Sequence, residues 1–289
     1  MRVTRCSSKK RKYVNSLYGH MFLEDMCADF PIHFAPFSQA NDFFTIKPHD
    51  SKLKQILEHG NFHFLRYDFS HLISKNMYSL LLDGICYVEM ILDFENDELK
   101  SIQFIPLNAI RCTKMKKKIK FHITDFHGKR LSRTIAKQSI VKLDLRDLKI
   151  RRNHFWRILK GLSGKGIPDF GWLNKTGVSI ADYDNRQVLN ALRTVGDTYW
   201  DLRKSENEYM NEIYLLYRRI MYDSYRFRFF EYFLSQYNNA LREIGLKHGF
   251  DGEIAYNVAV ENHKKELEKL LAGEITCEQM ADYLFKRKQ

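Results

Sequence analysis

The stretch DFSHLISKNMYSLLLDGICYVEMILDFENDELKSIQFIPLNAI, residues 68–110, is the most informative part of this chain because its order of elements is specific. Asp68–Leu82 has apolar residues at helical spacing, and the Asp83-Gly84 pair that follows is a turn signal. Ile85–Phe94 is rich in β-forming residues, and a polar turn separates it from a second such run, Ser101–Ile105. The stretch therefore predicts a helix that leads directly into two antiparallel strands.

More strands are predicted further along the chain. Lys118–Phe126 and Leu131–Ile135 have the composition of a strand pair. The turn between them, His127-Gly128-Lys129, contains a glycine that suits turn geometry. Ile140–Leu145 alternates weakly between apolar and polar residues and is predicted as one more strand.

The last part of the chain is predicted to be helical. Glu206–Ile244 contains no proline or glycine, and its apolar residues recur every seven positions, which predicts a long helix with a coiled-coil-like seam. Aromatic residues also lie off this seam, so the helix needs more than one packing partner, from the same chain or from neighbouring subunits. A further helix is predicted over Glu253–Leu271, and Thr276–Gln279 has the spacing of a capping box.

These patterns predict an α+β fold, in which a mixed helix and strand N-terminal subdomain precedes an all-helical C-terminal subdomain with one long helix. The division rests on KGLSGKGIPDFGWLN, residues 160–174, which contains four glycines and one proline and is the clearest candidate linker. The predicted units are a flexible basic arm, an α+β subdomain, a Gly-rich linker and a helical subdomain, over residues 1–12, 13–160, 161–178 and 179–289.

Charge and cysteine content restrict the class of protein. The chain has 289 residues with 47 Lys+Arg against 35 Asp+Glu, a formal net charge of +12. Such a balance attracts polyanions, either nucleic acid or an anionic membrane surface, although free use of lysine in a soluble protein explains it equally well. The five cysteines are scattered, which favours a reducing compartment.

The start of the chain lacks the apolar run of a signal peptide. Acidic residues interrupt the most apolar window of the whole chain, so we expect an intracellular protein with no membrane partner.

One cluster of basic residues stands out as a candidate binding site. It is predicted to lie on a protruding pair of strands and comprises Arg111, Lys114, Lys116, Lys117, Lys118, Lys120, Lys129, Arg130 and Arg133. Such an element contacts the phosphate backbone of a nucleic acid through charge, without selecting bases. The alternative is a solvated edge hairpin whose lysines prevent aggregation between sheets.

No motif in the sequence indicates a particular reaction. The Gly161–Gly166 segment has the wrong spacing for a phosphate-binding loop, and the histidines do not form a metal set. Asp93, Glu98 and Lys100 have the residue types and spacing of a strand in a metal-dependent nuclease. They fall at the tip of a predicted hairpin, however, where solvated acidic residues are usual. The sequence therefore predicts a protein that is not an enzyme and has no cofactor and no catalytic or metal-binding residues.

Several segments together resemble the portal proteins of tailed phages. Leu53–Leu57 resembles the short helix before the family's core, and Phe69–Glu89 resembles its helix that enters a "G-x-x-Y-V-E" strand. Leu99–Ile110 is similar to the family's "L-x-x-L-x-P-L" return, Ser139–Leu143 to a strand that ends that subdomain, and Gly273–Thr276 to its C-terminal "G-E-I-T" turn. The stretch 146–205 has no counterpart in the family's pattern.

The resemblance implies a structural subunit that forms a homo-oligomeric ring and conducts or anchors DNA in a phage or prophage particle. DNA would be bound without sequence specificity, other virion proteins would be partners, and the chain would be found in the cytoplasm of a bacterial host or in the virion. Two alternatives remain open. One is a non-catalytic nucleic-acid-binding protein of a virus or mobile element, and the other is a divergent metal-dependent nuclease.

Overall fold

The computed structural model describes residues 14, 16–27, 44–49, 51–60, 65–107, 109–124, 130–163, 179–202, 212–256 and 263–280. The predicted basic arm, residues 1–12, lies outside these ranges, as does most of the predicted linker. The helices are α1 (Leu17–Cys27), α2 (Lys52–His59), α3 (Leu65–Asp83), α4 (His154–Leu162), α5 (Ile180–Val195), α6 (Glu212–His248) and α7 (His263–Leu271). The strands are β1 (Phe44–Lys47), β2 (Ile85–Glu95), β3 (Glu98–Leu107), β4 (Ala109–Lys114), β5 (Lys118–Thr124), β6 (Arg130–Ala136), β7 (Ile140–Asp144) and β8 (Glu253–Tyr256).

The helix that leads directly into two strands is confirmed. α3 ends at Asp83, and β2 begins two residues later and pairs antiparallel with β3. Gly84 makes the change of direction, with a positive φ of 69°. A Cβ at this position would lie 2.3 Å from the carbonyl oxygen of Arg152, so both the backbone angle and the lack of space require glycine.

Three antiparallel sheets are formed by the described strands. The first has the order β3-β2-β7, the second β4-β5-β6, and the third consists of β1 and β8. The predicted pairing of β5 with β6 and the predicted strand at β7 are confirmed. At the β2–β3 turn, Asn96 and Asp97 both have positive φ, which matches the right-handed twist of a two-residue hairpin.

A large apolar core lies between the first sheet and the helices. It is one continuous cluster that includes residues from Tyr18 in α1 to Ile254 in β8. Tyr237 of α6 lies at its centre, with ring centroids 5.5 Å from Phe69 of α3 and 5.0 Å from Phe104 of β3. The core therefore takes residues from both sides of the predicted linker.

The predicted long helix is confirmed as α6, which has 37 residues. Its off-seam aromatic residues Tyr222, Tyr225, Phe229, Tyr232 and Phe233 are buried in the main core. These aromatic side chains therefore pack against other elements of the same chain and not against a neighbouring subunit.

The prediction of an all-helical C-terminal part is wrong, and the helix predicted over Glu253–Leu271 is confirmed only for its second half, which is α7. The first residues of this stretch form β8, which pairs with β1 so that Ile254 faces Ile46, and both side chains are buried. The side chain of Asn238 in α6 accepts a hydrogen bond from the Ile254 N–H at 2.9 Å and donates one to its carbonyl at 2.8 Å. The extended backbone of β8 thus forms hydrogen bonds with β1 on one side and with Asn238 on the other. These hydrogen bonds stabilise a strand where the local sequence pattern favours a helix. The mixed α+β class itself is confirmed.

Two further features concern helices. The capping box is confirmed: the Gln279 N–H donates to Thr276 Oγ1 at 3.1 Å, and the Thr276 N–H donates to Gln279 Oε1 at 2.9 Å. Among the described residues, no helix is long and apolar enough to cross a membrane.

Candidate nucleic-acid interface

The β4-β5-β6 sheet carries most of the predicted basic cluster and covers one face of β2. Ile119, Phe121 and Ile135 on its inner face are buried against Ile85 and Tyr87 of β2. The rings of Tyr87 and Phe121 meet edge to face with centroids 5.2 Å apart. Because side chains alternate across a strand, residues between these apolar positions lie on the opposite, outer face.

Four exposed lysines meet at one end of this sheet. Lys116 and Lys117 form the β4–β5 turn, which the Met115 N–H closes by donating to the Lys118 carbonyl at 2.9 Å. Lys137, just after β6, packs against this turn: its N–H donates to the Lys117 carbonyl at 3.0 Å and its Nζ to the Lys116 carbonyl at 2.8 Å. We call Lys116, Lys117, Lys118 and Lys137 the lysine tip; all four are exposed.

The outer face of the sheet continues the positive surface from the tip. Lys120 of β5 is exposed and lies opposite Thr134 of β6. Further along, Ser132 Oγ and His122 Nδ1 are 3.0 Å apart on the same face. Lys118 and Lys120 are two residues apart on one strand and therefore share this face. The structure thus brings Lys116, Lys117, Lys118 and Lys120 together on one exposed element.

Arg133 does not belong to this surface. It lies opposite Phe121, on the inner face of the sheet. Its Nη2 is 2.8 Å from Oε1 of Glu89, a nearly buried residue of β2. The prediction that grouped Arg133 with the lysines is therefore corrected, because a shift of one residue along a strand moves a side chain to the other face.

The other predicted basic residues are only partly placed. Arg111 and Lys114 lie in β4, opposite His122 and Ile119 of β5. Arg130 is the first residue of β6. Lys129 lies outside the described residues.

A second basic cluster, which the sequence reasoning missed, surrounds the carboxylate of Asp144 at the end of β7. Asp144 is fully buried and has cations on several sides. Its Oδ2 lies 3.0 Å from Lys142 Nζ and accepts from Arg146 Nη2 at 2.9 Å. Oδ1 accepts from Arg152 Nε at 2.9 Å and from Arg146 Nε at 3.2 Å, and Arg152 Nη2 donates to Oδ2 as well.

The charge of this buried carboxylate is stabilised by its neighbours. Burial alone raises the pKa of Asp144, but hydrogen bonds from Arg152, Arg146 and Lys142 hold the pKa well below its usual value. The Tyr232 hydroxyl of α6 links the long helix to the end of β7. It accepts a hydrogen bond from the Asp144 N–H at 2.8 Å and donates one to Asp147 Oδ2 at 2.9 Å. Asp144 therefore stays ionised and joins the sheet to the long helix.

An open pocket of about 430 Å³ lies beside this cluster. Its lining residues are Arg146, Lys149, Ile150, Arg151, Arg152 and Asn153. The sequence LRDLKIRRN, residues 145–153, already holds these four cations within a short run. Their spacing matches no motif, and only the contact of two arginines with Asp144 reveals the shared site.

The proposed nuclease residues do not form a cleft. Asp93, Glu98 and Lys100 are exposed near the tip of the β2–β3 hairpin, and Lys100 Nζ lies 3.4 Å from Glu95 Oε2. In the part of the chain that the structure describes, no group of three or more His, Cys, Asp and Glu residues is arranged to hold a metal ion. The geometry therefore offers no support for the nuclease alternative.

The chain matches no protein-family model, and a search of curated proteins found no match. The resemblance to portal proteins therefore rests on the quoted motifs and on the order of elements.

Proposed function

We propose that this protein is a DNA-contacting structural subunit of the portal type, whose lysine tip and outer sheet face bind phosphate backbones. The observation that carries the proposal is the grouping of Lys116, Lys117, Lys118 and Lys120 on one exposed element with an apolar inner face. Long flexible ammonium groups make phosphate contacts that do not depend on base sequence. Such contacts are replaced easily, which suits DNA that slides past the protein.

The portal type is supported by the quoted motifs together with their setting in the fold. The Asp83-Gly84 pair joins α3 to β2, and β3 returns along β2, in the order that the resemblance implies. A ring would place the lysine tips of many subunits around one channel. Its subunit contacts would come from exposed apolar residues such as Tyr214, Leu246 and Leu271, because most aromatic side chains of α6 are buried inside the chain.

A DNA-binding measurement tests the lysine surface. The triple variant Lys116→Glu, Lys117→Glu and Lys118→Glu lowers the formal net charge from +12 to +6, since each exchange changes the charge by two. With a short duplex, fluorescence anisotropy over a series of salt concentrations should show weaker binding. The slope of log K against log salt should fall by up to about 2.7, because each lost phosphate contact contributes about 0.9.

A matched control separates local charge from net charge. Lys52, Lys75 and Lys160 are exposed positions on three different helices, and their exchange to Glu changes the net charge by the same amount. Equal loss of DNA affinity in both triple variants would show that only the overall charge matters and would contradict the proposed surface.

Native mass spectrometry and electron microscopy of the purified protein test the ring. A closed oligomer with a central channel is expected. Monomers or dimers at high protein concentration would reject the portal type while leaving the DNA-binding result intact.

The second candidate is a nucleic-acid-binding protein of a virus or mobile element that acts without a ring. It is favoured by the packing of α6, most of whose aromatic side chains are buried within one chain. The two experiments above distinguish the candidates, since this one combines salt-sensitive binding with a monomeric mass.

A further inference from the structure

The open pocket beside Asp144 is separate from the lysine surface and has a cationic lining. Arg146, Lys149, Arg151 and Arg152 contribute four positive charges, and Asn153 adds a neutral polar side chain. Arg146, Lys149 and Arg151 are exposed, and Arg152 is half-buried. Asp144 already compensates the charges of Arg146 and Arg152, so the charges of Lys149 and Arg151 are the ones that favour an added anion.

Asp144 orients two of the three arginines in this lining, Arg146 and Arg152. It receives two hydrogen bonds from the guanidinium of Arg152 and two from that of Arg146. A guanidinium has five N–H donors, so each arginine retains donors beyond those that Asp144 uses. Arginines held in this way lose less conformational entropy when they bind an anion than free surface side chains do.

The local backbone supports the same arrangement. Lys149 adopts a left-handed conformation with φ of 62°, which is uncommon for a residue other than glycine or asparagine. The Lys149 N–H donates to the Arg146 carbonyl at 2.9 Å and closes the short helical turn Leu145–Leu148, and side chains from before and after this residue line one pocket. Asn153 is also the N-cap residue of α4 and makes no side-chain cap hydrogen bond, so the partial positive charge of the helix start adds to that of the four side chains.

The lining determines the class of ligand. Arginine pairs recognise the tetrahedral oxygens of phosphate through bidentate hydrogen bonds. None of the residues that line this pocket is aromatic, so a nucleobase finds no aromatic ring to stack on there. The pocket, of about 430 Å³, is open to solvent, which suits a phosphate group bound at the surface better than a ligand that is buried whole.

We propose that Arg146, Lys149, Arg151 and Arg152 form a binding site for a single phosphate or diphosphate group. The group is either part of a nucleic-acid backbone or part of a small phosphate compound, and the chemistry of recognition is the same. The site does not depend on the proposed function, because it uses none of the residues of the lysine tip.

Calorimetry with the full chain tests this site with two probes, inorganic pyrophosphate and a short DNA duplex. The variant Lys149→Asn/Arg151→Gln removes two charges without touching the side chains that bind Asp144, and asparagine tolerates the left-handed backbone at position 149. The control Lys52→Gln/Lys160→Gln removes the same charge at exposed helix positions. Relative to this control, the affinity of the first variant for pyrophosphate should fall by about tenfold, the combined effect of two partly exposed charged contacts.

The two probes separate the sources of the phosphate. If the duplex displaces pyrophosphate and also binds the Lys149→Asn/Arg151→Gln variant more weakly, the site takes a backbone phosphate. If pyrophosphate binds the wild type and the duplex does not displace it, the site takes small phosphate compounds. The proposal is overturned if neither probe binds the variant more weakly than it binds the control.

Two more variants make the result specific. Lys149→Arg/Arg151→Lys keeps both charges and should restore most of the binding. The Lys116→Glu, Lys117→Glu and Lys118→Glu variant should bind pyrophosphate as the wild type does, so that a failure of the lysine surface and a failure of this pocket give different results.

Discussion

Replacing Asp144 by asparagine is expected to lower the free energy of unfolding by about 2–4 kcal/mol near neutral pH. Asparagine keeps the size of the side chain but removes its charge, and it turns one acceptor oxygen into a donor that faces the cations. The carboxylate is fully buried and accepts hydrogen bonds from Arg146 and Arg152 on both of its oxygens. Its loss therefore leaves several donors without their partner.

The expected cost is smaller than the sum of these hydrogen bonds because the cations reach solvent. The side chains of Arg146, Lys142 and Arg152 are 57%, 34% and 31% exposed, and they regain water when the carboxylate charge is removed. A fully buried pair that loses one partner costs about 3–5 kcal/mol, and the partial exposure reduces this range.

The pH dependence of this stability difference gives a sharper test than its size at neutral pH. The pKa of Asp144 is lowered in the folded protein, so its charged form contributes stability above the pKa of the unfolded chain, about 3.9. This contribution is lost as the pH falls from that value towards the lower folded pKa. Urea denaturation of the wild type and of Asp144→Asn should therefore show a constant difference down to about pH 5 and a smaller one below about pH 4.

Asp93→Asn is the matched control, since Asp93 is an exposed carboxylate at the hairpin tip. Its stability should stay within about 0.5 kcal/mol of the wild type. The proposed role of the buried charge is refuted if Asp144→Asn lowers the free energy of unfolding by less than about 1 kcal/mol near neutral pH, or if its difference from the wild type does not shrink in acid.

Three further substitutions probe the same region. Gly84→Ala should cost at least about 2 kcal/mol in thermal or urea unfolding, because it forces a left-handed backbone and brings a methyl group against the carbonyl of Arg152; an unchanged midpoint would contradict the close approach. Tyr232→Phe removes the acceptor of the buried N–H at the end of β7 and should cost about 1–2 kcal/mol, measured in the same way. Burial raises the pKa of Glu89 in the folded protein, so its charged form is less stable there than in the unfolded chain. Glu89→Gln should therefore increase the free energy of unfolding near neutral pH, and its advantage should vanish in acid, where both states of the wild type bind a proton; a loss of stability at neutral pH would mean that the ion pair outweighs burial.

Local patterns were sufficient for several elements of this fold. The helix that enters β2 through Gly84, the β2–β3 hairpin and the capping box at Thr276 follow from residue periodicity and turn chemistry within short stretches. Each depends on neighbours in the sequence, so the pattern alone carries the information. The long helix α6 was predictable for the same reason.

The candidate site was predictable only as a basic segment. The register of β5 with β6 places Lys120 on the outer face and Arg133 on the inner one, and a sequence pattern read without pairing partners does not separate them. The pocket beside Asp144 was missed because its cations become a site only when a buried carboxylate holds them.

The residues alone established the mixed class, the succession of helix and strands, and a positive protein with a basic protrusion. The folded chain was needed to show that β1 and β8, which are far apart in the sequence, form one sheet, and that most aromatic side chains of α6 pack against other elements of the same chain. Periodicity records which residues avoid water, but it does not record which distant segment covers them. That choice depends on the packing and hydrogen bonds available to the whole chain at once.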